Sequence, residues 1–112
     1  MRLIVPRLAR RQMSAQVMGQ GMGRHSAAEI AELGTRSFDA AAAFLGQKTY
    51  SMGDALSGLD ATAFAFLASA LCPVFETPLR TAVERHDNIT TYFRRLSDRY
   101  SPDYPEVRQC AA

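Results

Sequence analysis

A run of twelve uncharged residues, from Ala61 to Cys72, constrains this chain more than any other feature. The run is apolar on every side of a helical wheel, and such a helix is expected at the centre of a bundle with neighbours all around it. Pro73 ends the run because proline cannot continue a helix. The whole uncharged stretch reaches Phe75 and has 15 residues, fewer than the roughly 20 that span a bilayer. The sequence therefore predicts one central helix and no transmembrane segment.

Two Ser-x-x-acid tetrads mark helix starts and are the structural site residues that the sequence predicts. Ser57 stands three residues before Asp60, and Ser26 stands three residues before Glu29. In such a capping box the serine oxygen accepts the N–H of the acid, and the carboxylate accepts the N–H of the serine. Where the capped helix is buried, Asp60→Ala should cost about 2–4 kcal/mol of folding free energy. Asp60→Asn should be milder, because an amide oxygen still accepts a hydrogen bond.

Glycine and proline divide the chain into about five helical blocks, and no segment shows the sustained alternation of a strand. Alanine occurs 18 times in 112 residues, which favours closely packed helices. The predicted fold class is therefore all-α, a bundle of about five helices. The predicted helices run over about Val5–Met18, from the first box to about Leu45, from the second box to Cys72, from Thr77 to about Arg85, and from about Asp87 to Tyr100.

Chain length and charge place this sequence among small globular proteins. The 112 residues fit one helical domain over residues 1–112, with a core at about 5–102 and a frayed tail at 103–112. The net charge of +2 gives no general argument for nucleic-acid binding. Residues 1–25 nevertheless carry five arginines and no acid, whereas the remaining residues carry eight basic and eleven acidic groups.

The residues that usually carry chemistry form no recognisable motif. His25 and His86 lie at helix boundaries without metal-ligand spacing, so each is expected to cap a helix or face solvent. Cys72 and Cys110 form no spacing motif and no disulfide framework, which favours a reducing cytoplasm. We therefore predict no catalytic residue, no cofactor-binding residue, no metal ligand and a cytoplasmic location.

The order of these elements resembles the C-terminal helical domain of the glutathione S-transferase superfamily. Within it, the pattern is similar to the metaxin and failed-axon-connections type branch, over about residues 5–102. The Ser57 to Asp60 box is the most specific element, and the resemblance implies that it caps a buried central helix and supports folding. The other matching pieces are Gly21–Ser26, Leu45–Lys48, Tyr50–Asp54, Leu59–Phe64, Pro78–Arg80 and His86–Ile89.

The resemblance also implies what this chain lacks. Complete transferases begin with a thioredoxin-like domain that supplies most glutathione contacts and the activating Tyr, Ser or Cys. No βαβ pattern occurs in this sequence, so we expect that domain to be absent and glutathione to be bound only where one is supplied. The partners expected are a second copy, as a homo-oligomer, or a thioredoxin-like domain, and not nucleic acid.

Three hypotheses follow for function. The first is a non-catalytic packing or binding module. The second is the helical half of a complete glutathione transferase whose thioredoxin-like half lies outside this chain, and an in-frame thioredoxin-like segment upstream of Met1 would support it. The third is a binder of nucleic acid or acidic surfaces through residues 1–25, which predicts steep salt dependence.

Overall fold

The computed structural model describes residues 4–103, and all of its regular elements are helices. The prediction of an all-α fold with five helices is confirmed. Residues 104–112 of the predicted tail lie outside the described residues, as does Cys110. The helices are α1 (Ile4–Gln20), α2 (Ala27–Leu45), α3 (Gly58–Ala70), α4 (Pro78–Glu84) and α5 (Asp87–Tyr100), with a 3-10 turn at Met22–Arg24.

The chain divides into two compact units, residues 1–33 and residues 34–112, and α2 runs through the boundary. In the first unit, no residue of α1 is buried. The 3-10 turn follows Gly21, whose φ of 105° lies in the left-handed region that glycine tolerates best. The apolar residues of α1, such as Leu8 and Met18, are exposed.

The second unit holds the hydrophobic core, to which the C-terminal part of α2, the loop after it, and helices α3 to α5 contribute. Phe64 and Phe93 stack with ring centroids 5.2 Å apart, which joins α3 to α5. Near the start of this unit, α2 passes so close to α4 that a Cβ atom on Gly34 would overlap the Leu79 side chain. The buried apolar residues that form the core cluster are Ala42, Leu45, Tyr50, Leu67, Leu71, Val83, Ile89, Tyr92, Phe93 and Leu96.

Hydrogen bonds from α5 close the end of α2. Gly46 follows the helix with a φ of 55°, so the chain turns away from the helix axis at a residue without a Cβ atom. The Asn88 side chain donates to the carbonyl oxygens of Ala42 at 2.9 Å and Gly46 at 3.1 Å. The Ala42 carbonyl oxygen also accepts the Gly46 N–H at 2.9 Å, so Asn88 adds a second donor there and fixes the beginning of α5 against the end of α2.

One expectation about α3 is wrong. The apolar run is expected to be enclosed on every side, but Phe66 within it is 68% exposed, and Leu59, two positions before the run, is 46% exposed. Only Asp60 and Leu67 of this helix are buried. The side of α3 that faces α5 lies in the core, while the side beside α2 borders an open groove. Uniform apolar character therefore does not report whether a helix is enclosed.

Candidate functional site

Asp60 is the centre of a buried polar cluster in the second unit. It occupies the third position of α3, and only 2% of its surface is exposed. The Ser57 N–H donates to Asp60 Oδ2 at 2.8 Å, and the Ser57 hydroxyl lies 3.2 Å from the same oxygen. Both halves of the capping box are formed. The Asp60 N–H also donates to the Ser57 carbonyl oxygen at 3.1 Å.

The other carboxylate oxygen of Asp60 binds two donors from distant parts of the chain. Asp60 Oδ1 accepts the Ser51 N–H at 2.8 Å and the Tyr92 hydroxyl at 2.6 Å. Ser51 lies in a tight turn that Tyr50 and Gly53 close with two backbone hydrogen bonds, of 2.8 and 3.1 Å. Tyr92 comes from the buried face of α5. One carboxylate therefore joins the start of α3, the preceding loop and the last helix.

These contacts set the ionisation of both groups. Burial raises the pKa of the Asp60 carboxyl, but the hydrogen bonds that it accepts outweigh burial and hold the pKa well below its ordinary value of 3.8. Tyr92 contributes most to that lowering, followed by Ser51. Burial, with the hydrogen bond to Asp60, raises the pKa of Tyr92 to about 12. At neutral pH Asp60 is therefore an ionised carboxylate that accepts a hydrogen bond, and Tyr92 is a phenol that keeps its proton and donates that bond.

The Ser26 to Glu29 pair forms the same box at the start of α2, but on the surface. The Ser26 N–H donates to Glu29 Oε2 at 2.6 Å, and the Glu29 N–H donates to Ser26 Oγ at 3.2 Å. The hydrogen bond from the Ser26 N–H, together with the Ser26 hydroxyl and His25 beside the carboxylate, lowers the pKa of the Glu29 carboxyl below its ordinary value of 4.5. His25 Nδ1 lies 3.5 Å from the same carboxylate. The acid of this box has only local partners, all within four residues.

An apolar groove of about 330 Å³ lies between α2 and α3 in the second unit. Phe44 and Phe66 stand on opposite helices along it and are both exposed. Ser51 and Tyr92, two members of the buried cluster, also line it. Among the described residues that line the groove, none is Asp, Glu, His, Lys, Arg or Cys. The remaining lining residues are Ser37, Phe38, Ala41, Leu45, Leu59, Thr62, Ala63, Leu67 and Ile89.

Sequence reasoning missed a second polar cluster, because its members are far apart in the chain. His86 Nε2 lies 2.6 Å from Asp39 Oδ1, and Arg85 Nη2 lies 3.2 Å from the same oxygen. The histidine precedes α5, where the sequence predicts a residue that caps a helix or faces solvent. Nothing in a 47-residue separation signals its contact with Asp39. The cluster is partly exposed and joins α2 to the junction between α4 and α5.

Three further features bear on the kind of site that this chain can form. In the part of the chain that the structure describes, no three His, Cys, Asp or Glu side chains are grouped so that they could bind a metal ion. None of the described helices is both long enough and apolar enough to span a membrane. Cys72 is a free thiol that is partly buried.

Comparison with known proteins agrees with this architecture. Residues 34–96 match the family model described as glutathione S-transferase, C-terminal domain. The chain therefore belongs to the glutathione S-transferase C-terminal domain family. It is also 31% identical over 99 residues to Failed axon connections from Drosophila melanogaster. That alignment covers 86% of this chain and 24% of the relative, so the chain spans about a quarter of the relative's length. No solved structure gives a significant match.

These comparisons confirm the resemblance inferred from the sequence, including its branch. The family match begins at Gly34, at the boundary between the two units, and it contains the whole Asp60 cluster. Ser51 and Tyr92 both fall within the matched residues. The part of the chain that carries the family pattern is thus the part that holds the core, the buried carboxylate and the apolar groove.

Proposed function

We propose that this domain is a non-catalytic binding and packing module, and that its working surface is the groove between α2 and α3. The observation that carries the proposal is the chemistry of the groove lining. The described lining residues supply aliphatic and aromatic side chains and a few hydroxyl groups, but no formal charge at neutral pH. Sites of this composition suit apolar ligands and apolar protein surfaces.

Glutathione is a poor match for this groove. At neutral pH the tripeptide carries two carboxylates and one ammonium group, and buried charges require opposite charges or several hydrogen bonds. Asp60 supplies neither a base nor a binding charge, since its two oxygens already accept hydrogen bonds from Ser51, Ser57 and Tyr92. The buried acid therefore supports the loop and two helices, and the catalytic groups of a transferase would have to come from another domain.

Three measurements test the proposal. Isothermal calorimetry of the purified chain with glutathione should give no saturable heat, and conjugation of glutathione to an electrophilic aromatic should not exceed the uncatalysed rate. The solvatochromic dye 8-anilinonaphthalene-1-sulfonate should bind with enhanced fluorescence. Ala41 lines the groove, and Ala43, also exposed on α2, does not. Ala41→Phe should therefore weaken dye binding while Ala43→Phe leaves it unchanged. Micromolar glutathione binding would refute the proposal.

The second candidate is the helical half of a complete glutathione transferase, with a thioredoxin-like half supplied outside this chain. The observation that favours it is the family match together with a relative about four times as long as the aligned segment. The genomic reading frame upstream of Met1 tests it. An in-frame segment with a βαβ pattern would support a complete transferase, and its absence would leave the module as the better account.

The packing role predicts a partner as well as a ligand. We expect a second copy or a thioredoxin-like domain to cover exposed apolar residues outside the groove, such as Leu8 and Met18 of α1, because large bare apolar patches usually mark interfaces. Light scattering of the isolated chain should show self-association, and a strictly monomeric profile would count against the homo-oligomer. A cytoplasmic location belongs to the same proposal, since the sequence has no disulfide framework.

A further inference from the structure

Ser51 and Tyr92 are the two buried residues with hydroxyl groups that line the groove. Ser51 is 5% exposed, and its backbone is held by the Tyr50–Gly53 turn and by the N–H bond to Asp60. Its Oγ lies 3.0 Å from the Tyr92 hydroxyl oxygen. Thr62, a third lining residue with a hydroxyl group, is on the exposed side of α3 and donates to the Gly58 carbonyl oxygen. Ser51 and Tyr92 therefore bring the hydroxyl groups of the buried Asp60 cluster to the groove lining.

The direction of the protons in this cluster follows from its geometry. A phenol has one proton, and Tyr92 donates it to Asp60 Oδ1 over 2.6 Å. The contact between Ser51 and Tyr92 then requires the serine to be the donor, since the phenol has no second proton. With its proton committed inside the cluster, Ser51 Oγ keeps lone pairs that can only accept. At Ser51 the groove lining thus offers a hydrogen-bond acceptor and no free donor.

We propose that the groove binds a small aromatic molecule that carries a single O–H or N–H donor, with that donor directed at Ser51 Oγ. This inference rests on the proposed function, because it names the ligand class of the same groove. The volume of about 330 Å³ is that of a site for a compact ligand. Three phenylalanines, Phe38, Phe44 and Phe66, line it and offer ring faces for an aromatic body.

A matched pair of probes tests the donor requirement. 1-Naphthol has one O–H donor, and 1-methoxynaphthalene has nearly the same shape with no donor. In ligand-observed NMR titrations, 1-naphthol should bind more tightly by about 2- to 12-fold, the ratio that one neutral hydrogen bond confers. In Ser51→Ala the ratio should fall to about one. The Ser51 backbone bond to Asp60 persists in that variant, so the fold should be retained, as a thermal melt would check.

The groove itself is tested by the Ala41→Phe and Ala43→Phe variants, which differ in whether the added ring enters it. Ala41→Phe should weaken both probes at least fivefold, and Ala43→Phe should change neither. Equal binding of the two probes to the unmodified chain would overturn the ligand class and leave the proposed function standing. If neither probe binds, or if Ala41→Phe has no effect, both the ligand class and the groove as a working surface are overturned.

Discussion

The two capping boxes of this chain have the same sequence pattern and different surroundings. Ser26 and Glu29 form their box on the surface, and the acid contacts only its neighbours in sequence. Ser57 and Asp60 form theirs in the core, where the acid also binds Ser51 and Tyr92. The local motif begins a helix in both cases. Burial and long-range donors turn the second box into a junction of three elements, which no local pattern specifies.

The largest expected effect comes from removing the buried acid. Asp60→Ala would leave the donors from Ser51, Ser57 and Tyr92 without an acceptor, so we expect a loss of about 3–5 kcal/mol of unfolding free energy. A small domain has about 5–15 kcal/mol in total. Equilibrium urea unfolding followed by circular dichroism measures the loss. Asp54→Ala, at an exposed acid of the same loop region, is the control and should be nearly neutral.

The structure also changes the expectation for Asp60→Asn. The sequence predicts a milder effect, because an amide oxygen accepts one hydrogen bond as a carboxylate does. In the structure each carboxylate oxygen faces two donors, so in either orientation the amide NH₂ group would face N–H or O–H donors. We therefore expect Asp60→Asn to cost nearly as much as Asp60→Ala. A loss of unfolding free energy below half of the Asp60→Ala value would show that the surrounding donors can turn away to accommodate the amide NH₂ group.

A smaller effect is expected when one donor is removed and the acid is kept. Tyr92→Phe deletes the 2.6 Å bond to Asp60 Oδ1 while the ring still fills the core. We expect a loss of about 1–2 kcal/mol, since the Ser51 hydroxyl is free to turn toward the carboxylate. Urea unfolding again gives the value. A loss equal to that of Asp60→Ala would mean that Tyr92 alone holds the cluster together.

The pH dependence of the unfolding free energy should separate the contribution of Asp60 from that of Tyr92. The pKa of Asp60 is lower in the folded chain than in the unfolded chain, so the unfolded state binds more protons below about pH 5 and stability falls as acid is added. The pKa of Tyr92 is raised to about 12, so its contribution is complete below pH 10 and is lost between pH 10 and 12. In Asp60→Ala, most of the fall in unfolding free energy with decreasing pH should disappear. Unfolding curves measured from pH 3 to pH 7 on both proteins would test this.

The smallest effect is expected at the exposed box. Glu29→Ala removes a cap whose donors water can satisfy, so the thermal midpoint should change much less than it does in Tyr92→Phe. Amide hydrogen exchange should become faster only near the start of α2. A destabilisation comparable to that of Asp60→Ala would show that burial is not what distinguishes the two boxes.

The helices were predictable from the sequence because their signals are local. The start of α4 after Thr77, the end of α2 at Gly46 and the apolar face of α5 all follow from residues a few positions apart. The site was only partly predictable, since the partners of Asp60 stand 9 and 32 residues away. One signal was present: Tyr92 lies on the apolar face of α5, and a buried tyrosine hydroxyl usually has a hydrogen-bond partner.

The open side of α3 was not predictable from its composition. The run Ala61–Cys72 is apolar on all sides, which is the pattern of an enclosed helix, and the groove appears only when α2 and α3 are placed side by side. The pairing of His86 with Asp39 was missed for the same reason. Spacing specifies helices and their caps, whereas grooves and cross-chain pairs depend on how the helices pack.

The central claim is that Asp60 is an ionised structural junction and that Glu29 is an ordinary surface cap. A ¹³C-detected NMR titration of the side-chain carboxyl groups tests this directly, because it reports both pKa values in one sample. We predict that the Asp60 carboxyl stays ionised at every pH at which the protein remains folded, while Glu29 titrates at higher pH. A titration midpoint for Asp60 at or above its ordinary 3.8 would contradict the account.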